Sequence, residues 1–245
     1  MTIKEAGIQL RTVLNSYYEQ REASAISNMI LEDLTGFNRV DRIIHDREAL
    51  STAQQSLLAV AITYLQLKMP VQYVLGYTYF GGLRLKVNNQ VLIPRPETEE
   101  LVEWVRESVA ETFKDREAAF RLLDIGTGSG CIPLSLKQYF PSAKIYGGDI
   151  SDGALGVARH NSRLTGQDVC FFKMDALSDT VAEALLLRLG PLDYITSNPP
   201  YIDLSEKAAM EPHVLNFEPH QALFPEQSLP TTIFYEKIAL LSAKL

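Results

Sequence analysis

The tetrapeptide Asn198-Pro199-Pro200-Tyr201 carries the most specific chemical signal in the chain. It follows a short apolar run that predicts a buried strand, and parallel sheets build their sites at the carboxyl ends of strands. Two prolines fix the backbone and remove two N–H donors, which leaves the loop carbonyls free to accept. The Asn198 side-chain oxygen and one such carbonyl can accept both protons of an NH2 group, with Tyr201 over its planar face. The alternative interpretation is a rigid turn without chemistry.

A glycine-rich segment, Gly126-Thr127-Gly128-Ser129-Gly130, follows an earlier predicted strand and precedes a predicted helix. Glycines at such a turn let the backbone approach a ligand closely because no Cβ intervenes. The pattern is not the dinucleotide pattern GxGxxG, since Cys131 stands where the third glycine would be. The signal is weak alone, and Asp124 just before the loop strengthens it. With the NPPY loop, it predicts methyl transfer from S-adenosylmethionine to an amide or amino nitrogen.

Two further carboxylates end predicted strands. Asp149 ends the second strand near the position at which an acid takes ribose hydroxyls in doubly wound folds. The alternative for Asp149 is a carboxylate that caps a helix or a turn. Asp175 ends the third strand, where it would either accept from an adenine amino group or stabilise a turn.

An amide nitrogen is a weak nucleophile because its lone pair is delocalised into the carbonyl group. Holding both N–H bonds aims the remaining density at the methyl group, and such positioning is worth roughly 7–11 kcal/mol. The product nitrogen can lose its proton afterwards, so we expect neither a catalytic histidine nor a metal. The histidines lack metal-ligand spacing and are predicted on the surface or on helix faces; they are His45, His160, His213 and His220.

The composition is that of an ordinary globular protein with 245 residues, 46% hydrophobic and 22% charged residues. A net charge of −7 argues against a broad nucleic-acid footprint, which needs clustered basic residues. We find neither a signal peptide nor an apolar stretch long enough for a membrane span. Cys131 and Cys170 are predicted to be buried free thiols, which favours a reducing, cytoplasmic compartment.

The pattern along the chain predicts three regions. Residues 1–70 read as helices that form a docking bundle, with capping boxes at Thr2 and Ser51. Residues 71–95 predict a β-hairpin linker around Gly81-Gly82. Residues 96–245 predict the catalytic domain, in which Trp104 is expected in the core or an interface. Strands are predicted at 122–125, 144–149, 169–174 and 192–197, with helices between them, which is typical of a parallel α/β sheet.

The chain resembles the release factor glutamine methyltransferases. The resemblance rests on the segments PVQYVLG (70–76), LIPRPETE (92–99), LDIGTGSG (123–130) and SNPPYI (197–202), with FEP at 217–219. It covers about residues 70–230 and is weaker over the N-terminal helices. NPPY alone is shared with DNA N-methyltransferases, whereas PRPETE together with FEP is much narrower.

The resemblance implies a class I S-adenosylmethionine-dependent methyltransferase with a Rossmann-like sheet. It would methylate N5 of the glutamine in the Gly-Gly-Gln motif of class 1 peptide-chain release factors. The implied cofactor residues are Gly126 to Gly130, Asp149, Asp175, Ala176 and Asn198, and the implied substrate clamp is Asn198 with Pro199, Pro200 and Tyr201. Family members often carry a bulky residue where Ala176 stands. The family sheet has seven strands, so the resemblance predicts C-terminal strands that this chain lacks. We also expect the protein to be a monomer.

Two other functions remain open at the level of sequence. The first is methylation of another amino nitrogen, such as adenine in DNA, against which the acidic balance counts. The second is a non-catalytic binding protein that kept the fold. The intact glycine loop, Asp149 and Asn198 argue against that second alternative.

Overall fold

The computed structural model describes residues 1–113, 119–178, 180–226 and 229–244. The chain divides into two compact units. One comprises Met1–Leu75 with Pro212–Phe217, and the other comprises Gly76–Glu211 with Glu218–Leu245.

The first unit is helical. Its helices up to Leu75 are α1 (Ile3–Leu14), α2 (Gln20–Thr35), α3 (Arg39–Ile44), α4 (Thr52–Gln66) and α5 (Val71–Leu75). Both predicted capping boxes are confirmed, because Thr2 pairs reciprocally with Glu5 and Ser51 with Gln54. Together these caps satisfy backbone donors that the first turns leave free. The buried core of this unit includes Leu10, Leu14, Ile30, Leu58 and Leu65.

The second unit opens with the predicted hairpin. Strand β1 (Tyr77–Phe80) pairs antiparallel with β2 (Leu83–Lys86), and the hairpin turn at Gly81-Gly82 is confirmed. Helix α6 (Pro96–Phe113) begins at Pro96, whose missing N–H costs nothing at a first helical position.

A parallel sheet forms the centre of this unit. Its strands in the described residues are β3 (Arg121–Ile125), β4 (Lys144–Asp149), β5 (Cys170–Lys173) and β6 (Tyr194–Ser197), in the order β5-β4-β3-β6. The connecting helices are α7 (Cys131–Tyr139), α8 (Asp152–Thr165) and α9 (Val181–Leu189). After a 3-10 helix at Leu204–Ala209 come α10 (Pro212–Phe217), which groups with the first unit, α11 (His220–Leu223) and α12 (Ile233–Ser242). The parallel α/β prediction is confirmed.

Apolar side chains cover both faces of this sheet. One cluster contains Leu122, Leu134 and Phe171, and the other contains Leu123, Phe172 and Leu185. Successive strand residues therefore point into different clusters, as the period of two in a strand requires. This packing supports the carboxyl ends of the strands from both sides.

One prediction about burial is wrong, and a second is wrong in one of its two alternatives. Cys170 is exposed, because it is the first residue of β5, whereas Cys131 is buried as predicted. Trp104 is 66% exposed, so it is not a core residue, and its place in an interface stays a prediction. In sequence it lies between Val102 and Val105, which belong to the apolar cluster that contains Leu122 of the sheet.

Candidate active site

The strand register brings three sequence-predicted segments to one edge of the sheet. Ile125, at the end of β3, pairs with Gly148 of β4 and with Ser197 of β6. Asp149 and Asn198 directly follow those partners, and the glycine loop directly follows Ile125. The chain runs from β3 to β4 on one side and returns to β6 on the other. This is the topological switch point at which open α/β sheets bind ligands.

The backbone of β4 holds the glycine loop. The carbonyl oxygen of Gly148 accepts from the N–H groups of Gly126 at 2.9 Å and Thr127 at 3.1 Å. Gly126 and Gly128 have φ values of +72° and +54°, a region that favours glycine. A Cβ placed on either residue would meet no atom within 4 Å. The loop therefore presents bare backbone to open space at both glycines.

Asp149 links the loop to the start of α8. Its Oδ2 accepts from the Gly128 N–H at 2.9 Å, and its Oδ1 accepts from the Ser151 N–H at 2.9 Å. Burial raises the pKa of this carboxyl group above its ordinary value, and the backbone hydrogen bonds oppose that rise. The turn-stabilising role that the sequence left open is therefore present. Each oxygen keeps acceptor capacity, so a ribose contact stays a prediction.

Asp124 is a buried carboxyl group under the loop. Its Oδ1 accepts from the Thr196 hydroxyl at 2.9 Å, and its Oδ2 has no hydrogen-bond partner within the described ranges. Burial raises the pKa of Asp124 to about 7. The buried hydroxyls of Thr127 and Ser129 are likewise without a partner in that part of the chain. Such groups cost free energy unless a ligand or water satisfies them, which fits a polar ligand at the loop.

The end of β5 is simpler. Asp175 is exposed, and its Oδ1 accepts from the Leu177 N–H at 2.9 Å. This hydrogen bond stabilises a turn, which is one of the two roles predicted for Asp175. Ala176 is 8% exposed and belongs to the apolar cluster with Phe172 and Met174. Contacts of Asp175 and Ala176 with adenine stay predictions.

The NPPY loop follows β6. Pro199 is buried, Pro200 is half-buried, and Tyr201 is 55% exposed. The Asn198 Nδ2 donates to the Thr98 hydroxyl oxygen at 3.1 Å. This contact uses the nitrogen end of the amide and leaves Oδ1 as the end that can accept from a substrate.

Residues distant in sequence support these loops, and sequence reasoning assigned them no role. Asn161 of α8 is fully buried; its Oδ1 accepts from the Lys86 N–H at 2.7 Å, and its Nδ2 donates to the Ser129 carbonyl at 2.9 Å. It thus joins the hairpin to the glycine loop. The only sequence signal was its place on the buried face of a predicted helix.

Glu218 is the second such support. Its side chain is fully buried and accepts from the Ile93 N–H at 3.1 Å and from Arg95 Nη2 at 2.5 Å. The PRPETE and FEP segments that carried the resemblance are therefore in direct contact. Thr98 belongs to the PRPETE segment, and the sequence did not predict its contact with Asn198.

The described residues contain no group of three or more His, Cys, Asp or Glu side chains that could hold a metal ion. His45 stacks on Phe37 and its Nδ1 lies 2.6 Å from Glu48 Oε1, all within the first unit. In the same part of the chain, no helix combines the length and apolar character of a membrane span.

Comparison with known proteins gives a consistent result. The sequence matches the PrmC N-terminal domain family over residues 6–76 and the methyltransferase small domain family over residues 106–220. The release factor glutamine methyltransferase of Flavobacterium psychrophilum is 38% identical over 245 residues, which are 100% of this chain and 82% of that protein. Proteins with the same description from Bacteroides thetaiotaomicron and Chlorobaculum tepidum are 39% and 32% identical, over 96% of this chain and 80% of each.

Proposed function

This chain belongs to the release factor glutamine methyltransferase family, and we propose that it methylates class 1 peptide-chain release factors. The methyl donor is S-adenosylmethionine, and the acceptor is N5 of the glutamine in the Gly-Gly-Gln motif. The observation that carries this proposal is the alignment of the glycine loop, Asp149 and Asn198 at the switch point of the sheet.

The residues at the loop fit this cofactor. The bare backbone at Gly126 and Gly128 leaves room for close approach, and the unpartnered oxygens of Asp124, Thr127 and Ser129 can pair with a polar ligand. When bound, S-adenosylmethionine supplies a methyl group on a positively charged sulfur. We propose that residues 126–130 hold its methionine and ribose end, with Asp149 at the ribose, Asp175 and Ala176 beside the adenine, and Asn198 near the methyl group.

The NPPY loop would hold the glutamine side chain. The Oδ1 of Asn198 accepts one amide proton, and a carbonyl oxygen of the proline-fixed backbone accepts the other. Tyr201 is exposed and can cover the planar amide. These contacts orient the nitrogen without removing a proton, so this chain contributes positioning rather than a base.

The helical first unit would help to dock the release factor. For methyl transfer, the site itself would need only access to the glutamine side chain. Because release factors act in translation, the proposed location is the cytoplasm. We expect the protein to act as a monomer without direct nucleic-acid binding, given its net charge of −7.

Methyl transfer from labelled S-adenosylmethionine tests the proposal. The acceptors are a class 1 release factor, its Gly-Gly-Ala variant and duplex DNA, assayed in parallel. Label on the wild-type factor alone supports the proposed substrate and residue. Label on DNA, or equal label on the Gly-Gly-Ala factor, would reject it. Bound cofactor without label on any acceptor would also reject it.

A further inference from the structure

We propose that Thr98 is a positioning residue that holds the side-chain amide of Asn198 in place for the substrate. The inference rests on the proposed function, because it concerns the same amide clamp. Thr98 lies in the first turn of α6 and is 7% exposed. It lies 100 positions from Asn198 in sequence, and the two side chains meet at 3.1 Å.

The orientation of the Asn198 amide decides what it can bind. An asparagine side chain has an acceptor at one end and a two-proton donor at the other. A glutamine substrate presents its own NH2 group, which needs an acceptor. If the Asn198 amide were rotated by 180°, NH2 would face NH2 and neither could accept. In the observed rotation the Thr98 oxygen accepts from Nδ2, and Oδ1 is available. Because a hydroxyl can donate as well as accept, Thr98 fixes the position of the amide, and the NH2 group of the substrate selects this rotation.

Thr98 is itself held in place by a buried anchor. Its N–H donates to the Arg95 carbonyl at 3.0 Å, and the Arg95 guanidinium contacts the fully buried Glu218 carboxylate. Glu218 also accepts from the Ile93 N–H, so it holds the segment on both sides of Pro94. The position of the hydroxyl therefore depends on packed backbone rather than on a mobile loop.

The main test compares two substitutions of Thr98. Thr98→Val keeps the shape but removes the hydroxyl, whereas Thr98→Ser keeps the hydroxyl. We expect Val to lower kcat on the release factor about tenfold, as for loss of one positioning hydrogen bond, and Ser to retain most of it. The KM for the release factor and the Kd for S-adenosylmethionine should change less than twofold. Thr112→Val, an exposed threonine on the same helix, is the matched control.

A double-mutant cycle asks whether Thr98 acts through Asn198. In an Asn198→Ala background, Thr98→Val should cause no further loss of kcat, because the group it orients is already absent. A full additional tenfold loss would overturn the inference. So would a Thr98→Ser variant as impaired as Thr98→Val, since shape rather than the hydroxyl would then matter.

A spectroscopic readout separates this inference from the proposed function. The side-chain NH2 signals of Asn198, assigned by their disappearance in Asn198→Ala, should shift and exchange faster with water in Thr98→Val than in Thr112→Val. This measurement needs no substrate, so it tests the contact between Thr98 and Asn198 even if the release factor is not methylated. Unchanged Asn198 signals in Thr98→Val would refute the contact.

Discussion

The backbone N–H of Gly128 donates a hydrogen bond to the carboxylate of Asp149 at 2.9 Å, which joins the glycine loop after β3 to the end of β4. The other carboxylate oxygen accepts from the Ser151 N–H at the start of α8. Asp149 therefore shapes the loop as well as lying where a ribose is proposed. Substitution of Asp149 should therefore disturb both the glycine loop and the binding of the ribose.

Removing the Asp149 carboxylate should weaken cofactor binding. Asp149→Ala loses the contacts with Gly128 and Ser151 as well as the proposed ribose contact. We expect the Kd for S-adenosylmethionine to rise by about 100-fold, as for two charge-assisted hydrogen bonds. Asp149→Asn keeps one acceptor and should lie between this variant and wild type. Isothermal titration calorimetry measures both, with the exposed Asp168→Ala as control. An Asp149→Ala variant with unchanged affinity would eliminate Asp149 from the cofactor site.

The buried carboxyl of Asp124 should make stability depend on pH. Its pKa is raised from 3.8 to about 7 in the folded protein, so the folded state keeps a proton that the unfolded chain releases near pH 4. The contribution of Asp124 to the free energy of unfolding is therefore complete below pH 4. It is lost as the pH rises from 4 through about 7. The loss reaches at most about 4 kcal/mol, since one pKa unit corresponds to about 1.4 kcal/mol.

Asp124→Asn provides the comparison because it cannot titrate, while its amide oxygen can still accept from Thr196. Urea unfolding at several pH values gives the free energy of unfolding for each protein. The wild-type value should fall relative to the variant between pH 4 and pH 7, and the difference should then level off. Parallel curves across this range would mean that Asp124 ionises normally.

Local patterns predicted the strands and the glycine loop well. Each predicted strand lies within two residues of the observed one, because an apolar run ended by a polar or glycine residue is a strong local signal. Helix α3 lies within the predicted helical region 1–70, but its bounds were not predicted, because six residues show too little helical periodicity. Its start depends on Asn38, whose side chain accepts from the Val40 and Asp41 N–H groups.

The supports of the site were not predictable in the same way. The contact between Thr98 and Asn198 joins residues 100 positions apart, and that between Arg95 and Glu218 joins residues 123 apart. No periodicity connects such pairs, because they meet only when the sheet and α6 have packed. The resemblance identified both segments without saying what they touch.

Two glycine substitutions should change stability in opposite directions. A Cβ on Gly147 of β4 would lie 2.6 Å from the Phe171 ring and 2.9 Å from the Thr127 hydroxyl, so Gly147→Ala should destabilise by about 1–3 kcal/mol. A Cβ on Gly156 of α8 would meet nothing within 4 Å, so Gly156→Ala should stabilise by about 0.5–1 kcal/mol. Urea unfolding measures both. If both substitutions changed the free energy of unfolding by the same amount, neither helix propensity nor steric clash would explain their effects.

Removing the first unit should separate docking from chemistry. If its helices dock the release factor, deleting residues 1–75 should lower kcat/KM on the folded factor by at least tenfold. Activity on a short peptide that contains Gly-Gly-Gln should change far less, because the proposed amide clamp lies wholly in the second unit. Pro212–Phe217 groups with the deleted helices, so a cooperative thermal transition and an unchanged Kd for S-adenosylmethionine must first establish that the remainder is folded. Given such a folded remainder, equal losses on factor and peptide would assign the first unit a role in the catalytic site rather than in docking.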